Sequence, residues 1–181
     1  VRKGFDIFGI VVLAWVAALG GGILRDILID RGPPVAFTNH AYLPIVLAVA
    51  IIVSVVRGVE LGPRGQGVIR VLDATAVGAF AVVAADRAHA AGFTIPACLF
   101  LGVIGGTGGL LMRDILVADT PEIFRRGELN GIAALAAAAA FIALIEAGVA
   151  RPVPSVVGIL VGFTLRLVAL HFDLRAPAPR R

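Results

Sequence analysis

Long apolar runs alternate with short polar breaks along the chain. Six runs can be read, at roughly Ile7–Ile29, Ala41–Val56, Val71–Ala85, Phe93–Val117, Leu129–Val149 and Val153–Leu170. They are too long for strands and show no period-two alternation. Their wealth of Ala and Leu favours helix. Several approach the ~20 residues that cross a hydrocarbon core. Ala41–Val56 and Val71–Ala85 are shorter, and span only with their flanks or in a thin, tilted fit. The breaks carry turn chemistry: Arg31-Gly32-Pro33-Pro34, Gly58 to Gly67 with Pro63, Thr120-Pro121, and Arg151-Pro152-Val153-Pro154. The pattern predicts an all-α transmembrane protein, a single domain over 1–175 with a frayed tail at 176–181.

Composition supports lipid as the solvent. Hydrophobic residues make up 59% and mean hydropathy is +0.99. Charged residues are 15%, against about 25% in soluble domains. The net charge of +4 does not point to nucleic acid, because the arginines are scattered between apolar runs with no basic stripe. Membrane lipid is the expected surrounding partner. The lone Cys98 sits in an apolar run and reads as a small buried hydrophobe. Loop charge sets orientation. Arg2, Lys3, Arg57, Arg64, Arg70, Arg125, Arg126, Arg175, Arg180 and Arg181 fall on one side, and Arg31, Arg87 and Arg151 on the other. The richer side is expected to be cytoplasmic, with both chain ends facing it across an inner membrane.

The strongest signal is self-similarity at an offset of 88 residues. Gly4-Phe5 matches Gly92-Phe93, Gly20-Gly21 matches Gly108-Gly109, Arg25-Asp26-Ile27-Leu28 matches Arg113-Asp114-Ile115-Leu116, and Pro33 matches Pro121. No gap is needed. The two copies enter the membrane from opposite sides, which predicts inverted repeats. The second copy has Val71–Ala85 before its Gly92, and its equivalent falls before residue 1. A further N-terminal helix is therefore expected in the complete protein. The repeats read as a remnant at 1–59 and a whole unit at 70–149, with an extra helix at 153–173.

Three constellations carry candidate chemistry. The first is Gly20-Gly21-Gly22 with Gly105-Gly106-Thr107-Gly108-Gly109. Each glycine costs a helix interior about 1 kcal/mol against Ala. Such clusters at mid-membrane either pack helices closely or mark a break whose freed carbonyls line a polar path. The second is Arg25-Asp26 with Arg113-Asp114. These charges are expected to face the bundle interior and pair, crosswise between repeats or as charged pore mouths. The other reading is an interfacial ion pair or a snorkelling anchor. The third is Asp73, either a carboxylate near a helix start or a lining group. Arg166 reads as reaching the cytoplasmic headgroups. His40, His89 and His171 lack metal-ligand spacing, so no metal or cofactor site is expected. Glu146 reads as an exposed interfacial charge. No nucleophile elbow, phosphate loop or zinc motif occurs, and no enzyme is expected.

Gly20 to Leu28 with Pro33-Pro34, its second copy from Gly108 to Leu116, and the stretch Leu72 to Ala81 resemble the prokaryotic trimeric intracellular cation (TRIC) channel family. The likeness covers roughly residues 3–125, and the last two helices by hydropathy. It implies seven membrane helices in two inverted three-helix repeats plus a C-terminal helix, the first family helix being absent from this chain. It implies a homotrimer with a pore in each subunit that conducts potassium and other monovalent cations. It further implies kinks at Gly20, Gly21, Gly22, Gly108 and Gly109. This sequence departs from the family pattern at the second cluster, where Leu110 replaces the third glycine and Gly105-Gly106-Thr107 lies upstream, so the second kink is located only to within a turn. The same half-helix ends also suit a secondary transporter of a small zwitterion such as glycine.

Overall fold

The computed structural model describes residues 4–56, 62–124 and 129–172. Among these are seven α-helices and a 3-10 turn, with no strand. In chain order they are α1 (Ile7–Ile29), α2 (Val35–Thr38), α3 (Tyr42–Val56), α4 (Pro63–Ala90), α5 (Ile95–Leu116), the 3-10 turn Glu122–Phe124, α6 (Asn130–Glu146) and α7 (Pro152–His171). Four are long and apolar enough to cross a bilayer: α1, α4 from Gly67, α5 and α7. α3 and α6 are shorter apolar helices.

All six apolar runs are helical. α4 extends well beyond Val71–Ala85 at both ends. Its flanks hold Arg, Gln and Asp, which hydropathy rejects but a helix accepts, and Pro63 sits in the first turn where it costs nothing. α2 and the 3-10 turn occupy two breaks that the sequence reads as plain turns. Pro34 and Pro121 pre-set the backbone there.

The 88-residue offset recurs in the backbone. α1 and α5 begin at Ile7 and Ile95 behind the N-caps Asp6 and Thr94. Each is preceded by a left-handed glycine, Gly4 (φ 67°) and Gly92 (φ 84°). Beyond each helix the chain turns through a left-handed non-glycine residue, Asp30 (φ 51°) and Ala118 (φ 52°). α3 and α6 start at Tyr42 and Asn130, the same distance apart.

The core lies among α4, α5 and α6. Val77, Ala81, Val82, Ala85 and Ala88 of α4 pack on Cys98 and Leu101 of α5 and on Ala134, Ala137, Ala138 and Phe141 of α6. Small side chains let these backbones approach closely, which is how helices gain dispersion energy where lipid gives no hydrophobic drive. Large apolar side chains point outward on every long helix, including Phe8, Ile27, Ile52, Leu72, Phe100, Leu135 and Leu160. In water that surface would be untenable; in lipid it is matched.

Arg31, Arg87 and Arg151 gather at one end of the bundle. Arg31 donates to the Ala91 carbonyl at 2.7 Å. Arg87 lies 3.6 Å from Asp26, and Arg151 lies 3.2 Å from Asp86. Of the opposite set, Arg2, Lys3, Arg57, Arg125, Arg126, Arg175, Arg180 and Arg181 lie outside the described residues, as does the tail at 176–181.

Candidate functional site

Where α1, α4 and α5 meet, a cavity of 390 Å³ opens. Ala14, Ala17, Ala18, Gly21, Gly22, Arg25 and Asp26 of α1 face it at helical spacing. Asp73, Ala76, Val77, Phe80, Val83 and Arg87 of α4 form the opposite wall. Gly105, Gly106, Gly109 and Leu110 of α5 form the floor, and Val35, Ala36 and Tyr42 close the end beside Asp26. From Asp73 to Arg87 the wall spans about 21 Å of helix axis, most of a hydrocarbon core. The cavity has room for about 13 water molecules at ~30 Å³ each.

The glycines create this space and also close it on one side. α1 and α5 cross antiparallel at their repeated glycines. A methyl on Gly21 would lie 2.6 Å from the Gly105 carbonyl oxygen. One on Gly108 would lie 3.2 Å from the Gly21 Cα, and one on Gly20 would lie 3.3 Å from the Gly109 Cα. One on Gly109 would collide with the Ala17 carbonyl. Gly105 and Gly106 abut α4 at Ala84 and the Val77 carbonyl. Gly22 differs, since a methyl there would meet only the Arg25 guanidinium, at 3.8 Å. Thr107 donates to the Val103 carbonyl at 2.7 Å and is absent from the cavity wall.

The expected break in the helices is not present. α1 and α5 run as continuous α-helix through both glycine clusters. With the i to i−4 ladder intact, no carbonyls are freed to coordinate an ion. The physical reason is the crossing itself: close backbone approach offsets the glycine propensity cost without unwinding.

The two Arg-Asp pairs form a repeated clasp rather than a crosswise pair. Asp26 Oδ1 accepts from its neighbour Arg25 Nε at 2.8 Å, and its Oδ2 accepts from the Val35 amide at 3.0 Å. Asp114 Oδ1 accepts from Arg113 Nε at 2.9 Å, and its Oδ2 accepts from the Glu122 amide at 2.9 Å. Each buried carboxylate thus ties the end of a long helix to the next short one. Arg113 also pairs with Glu122 at 3.1 Å. Arg25 and Asp26 line the cavity, whereas Arg113 and Asp114 do not. The two pairs therefore do not form matching charged mouths of this cavity.

The structure joins Asp73 and Arg166, which nothing in the sequence links. Arg166 Nη2 donates to Asp73 Oδ2 at 3.2 Å across 93 residues. The Arg166 side chain is 4% exposed, so it does not reach the headgroups, and the Asp73 side chain is 36% exposed. Arg87, a loop charge by sequence, and Tyr42, which no motif marks, also line the cavity. The helical spacing of Asp73, Val77, Phe80 and Arg87 was the available signal. His89 and Glu146 pair at 2.8 Å between α4 and α6.

Apolar helices wrapped around a partly polar cavity define a polytopic helical membrane protein. A family model described as glycine transporter matches residues 1–57 and 70–146, and the chain belongs to that family. The UPF0126 inner membrane protein YadS of Escherichia coli K12 is 30% identical over 175 residues, covering 95% of this chain and 83% of that protein. A UPF0126 membrane protein of Deinococcus radiodurans is 35% identical over 141 residues; the match spans 77% of this chain and 65% of that relative's length. Among solved structures, one described as the structural basis for conductance through TRIC cation channels superposes with a TM-score of 0.92 at 26% identity, covering 99% of this chain and 87% of that one. The TRIC trimeric intracellular cation channel orthologue of Rhodobacter sphaeroides gives 0.85 at 34% identity, over 96% and 88%. The fold is that of the TRIC channels.

Proposed function

We propose that this protein is a passive channel for monovalent cations, with the pathway inside each subunit along the α1–α4–α5 cavity. The observation that carries this reading is the cavity itself. It is long relative to the membrane, wide enough for water, and carries carboxylates at Asp73 and Asp26, in a fold shared with proteins described as cation channels. Arg25 and Arg87 partly balance those carboxylates.

An ion in this cavity keeps most of its water, because intact helices offer no ring of free carbonyls to replace it. Potassium is the expected current carrier, and discrimination against sodium is expected to be weak. The remaining elements of the reading follow the same family. The subunits assemble as a homotrimer in the inner membrane, surrounded by lipid, with the C-terminus cytoplasmic. The domain consists of inverted repeats at 1–59 and 70–149 plus α7. The antiparallel contact of equivalent glycines supports the inversion. Bending at Gly20–Gly22 and Gly105–Gly109 is the movement that opens the path, since glycine holds helix least strongly. Arg113, Asp114, Thr107 and Gly108 support this region from outside the cavity wall.

A second reading is favoured by the family's description: a carrier of a small zwitterion such as glycine. A guanidinium at Arg25 or Arg87 suits a carboxylate, and Asp73 suits an ammonium group. The two readings separate in proteoliposomes. A channel gives potassium efflux that discharges a set potential at a rate linear in concentration. A carrier gives glycine uptake that saturates and is competed by unlabelled glycine. Saturable glycine uptake without potassium flux would replace the first reading by the second.

A further inference from the structure

We propose that Arg166 of α7 is a positioning residue that sets the charge of the cavity by holding Asp73. This inference rests on the cavity being a pathway for small charged solutes.

α4 and α7 pack through Gly78 and Gly162. A methyl on Gly162 would lie 3.0 Å from the Gly78 Cα, and one on Gly78 would lie 3.0 Å from the Ile159 carbonyl. This contact fixes the two helix axes at short range. Arg166 follows Gly162 by about one turn, and Asp73 precedes Gly78 by little more than one turn of the antiparallel partner. The contact therefore delivers the guanidinium to the carboxylate, at 3.2 Å.

The environments of the partners differ sharply. Arg166 is 3% exposed inside an apolar span. A guanidinium there requires a counter-charge. Asp73 meets that need with Oδ2 while its side chain remains on the cavity wall. The other cavity carboxylate, Asp26, is occupied on both oxygens by Arg25 and the Val35 amide. Asp73 is thus the cavity carboxylate whose net effect on a passing ion depends on a residue behind the wall. α7 bears on the pathway through this ion pair, and none of its described residues lines the cavity.

The test uses the full chain with three variants, Arg166→Gln, Asp73→Asn/Arg166→Gln and Arg166→Lys, all reconstituted and compared by reversal potential in a potassium chloride gradient. Arg166→Gln leaves the Asp73 charge unbalanced and is expected to raise the potassium-to-chloride permeability ratio about fivefold, the effect of roughly 1 kcal/mol in a wet cavity. The double variant removes both charges and is expected to lose that gain. Arg166→Lys keeps the wild-type ratio. An unchanged ratio in well-folded Arg166→Gln overturns the proposal, as does an equal gain in the double variant.

A second arm does not depend on conduction. In a Cys98→Ala background, Asp73→Cys places a thiol on the cavity wall. Anionic and cationic methanethiosulfonates are compared with Arg166 present and with Arg166→Gln. The ratio of anionic to cationic labelling is expected to fall about fivefold on removing Arg166. An unchanged ratio, or a thiol inaccessible from water, contradicts the proposal. A normal shift here in a protein that passes no current overturns the channel reading alone.

Discussion

Individual residues carry two different jobs that the sequence writes in the same letters. Gly109 and Gly22 belong to matching clusters, yet one sits at a backbone crossing and the other faces the cavity, where a methyl would make only an ordinary contact with the Arg25 guanidinium. Gly109→Ala forces α1 and α5 apart at the Ala17 carbonyl and is expected to destabilise by about 1–3 kcal/mol. Gly22→Ala is expected to be tolerated or to stabilise by up to about 1 kcal/mol through helix propensity. Thermal unfolding of both variants in one detergent checks the contrast, and equal losses would remove the distinction. Ala118 holds a left-handed conformation without being glycine. Ala118→Gly relieves that strain and is expected to stabilise by about 0.5–1 kcal/mol, net of the added unfolded-chain entropy. A lower midpoint for this variant would contradict the backbone account.

Helices were legible in the sequence because lipid imposes one demand on all of them. Length and apolarity placed α1, α5 and α7 to within a few residues. Hydropathy alone makes α4 too short, since its polar flanks look like loop. The repeat was legible as spacing, and its geometric meaning was not. Arg-Asp at a fixed distance from glycines cannot reveal that each carboxylate accepts the amide of the following short helix. Nor can residues 93 apart announce that they pair, so Asp73 and Arg166 stayed separate. The clasp makes its own prediction at this scale. Asp114→Ala frees the Glu122 amide and leaves Arg113 paired with Glu122 alone, and is expected to cost about 1–3 kcal/mol of stability. Asp114 is not on the cavity wall, so the potassium-to-chloride permeability ratio of that variant is expected to stay at the wild-type value. A changed ratio would place Asp114 back on the pathway.

At the scale of the whole molecule, the account rests on a wet passage through an otherwise apolar bundle. Close packing at α4–α5–α6 gives a rigid wall. The sparser junction of α1 with α4 leaves the cavity, and the charges of Asp26, Arg87 and Asp73 mark its ends. In the proposed pathway, continuous helices at the glycines leave width and fixed charge, rather than backbone ligands, to govern what passes. The direct test is single-channel recording of the purified chain in a planar bilayer under a potassium chloride gradient. The account predicts unitary currents that reverse near the potassium equilibrium potential and shift little when sodium replaces potassium. Silence at every voltage, or reversal near the chloride potential, would contradict it.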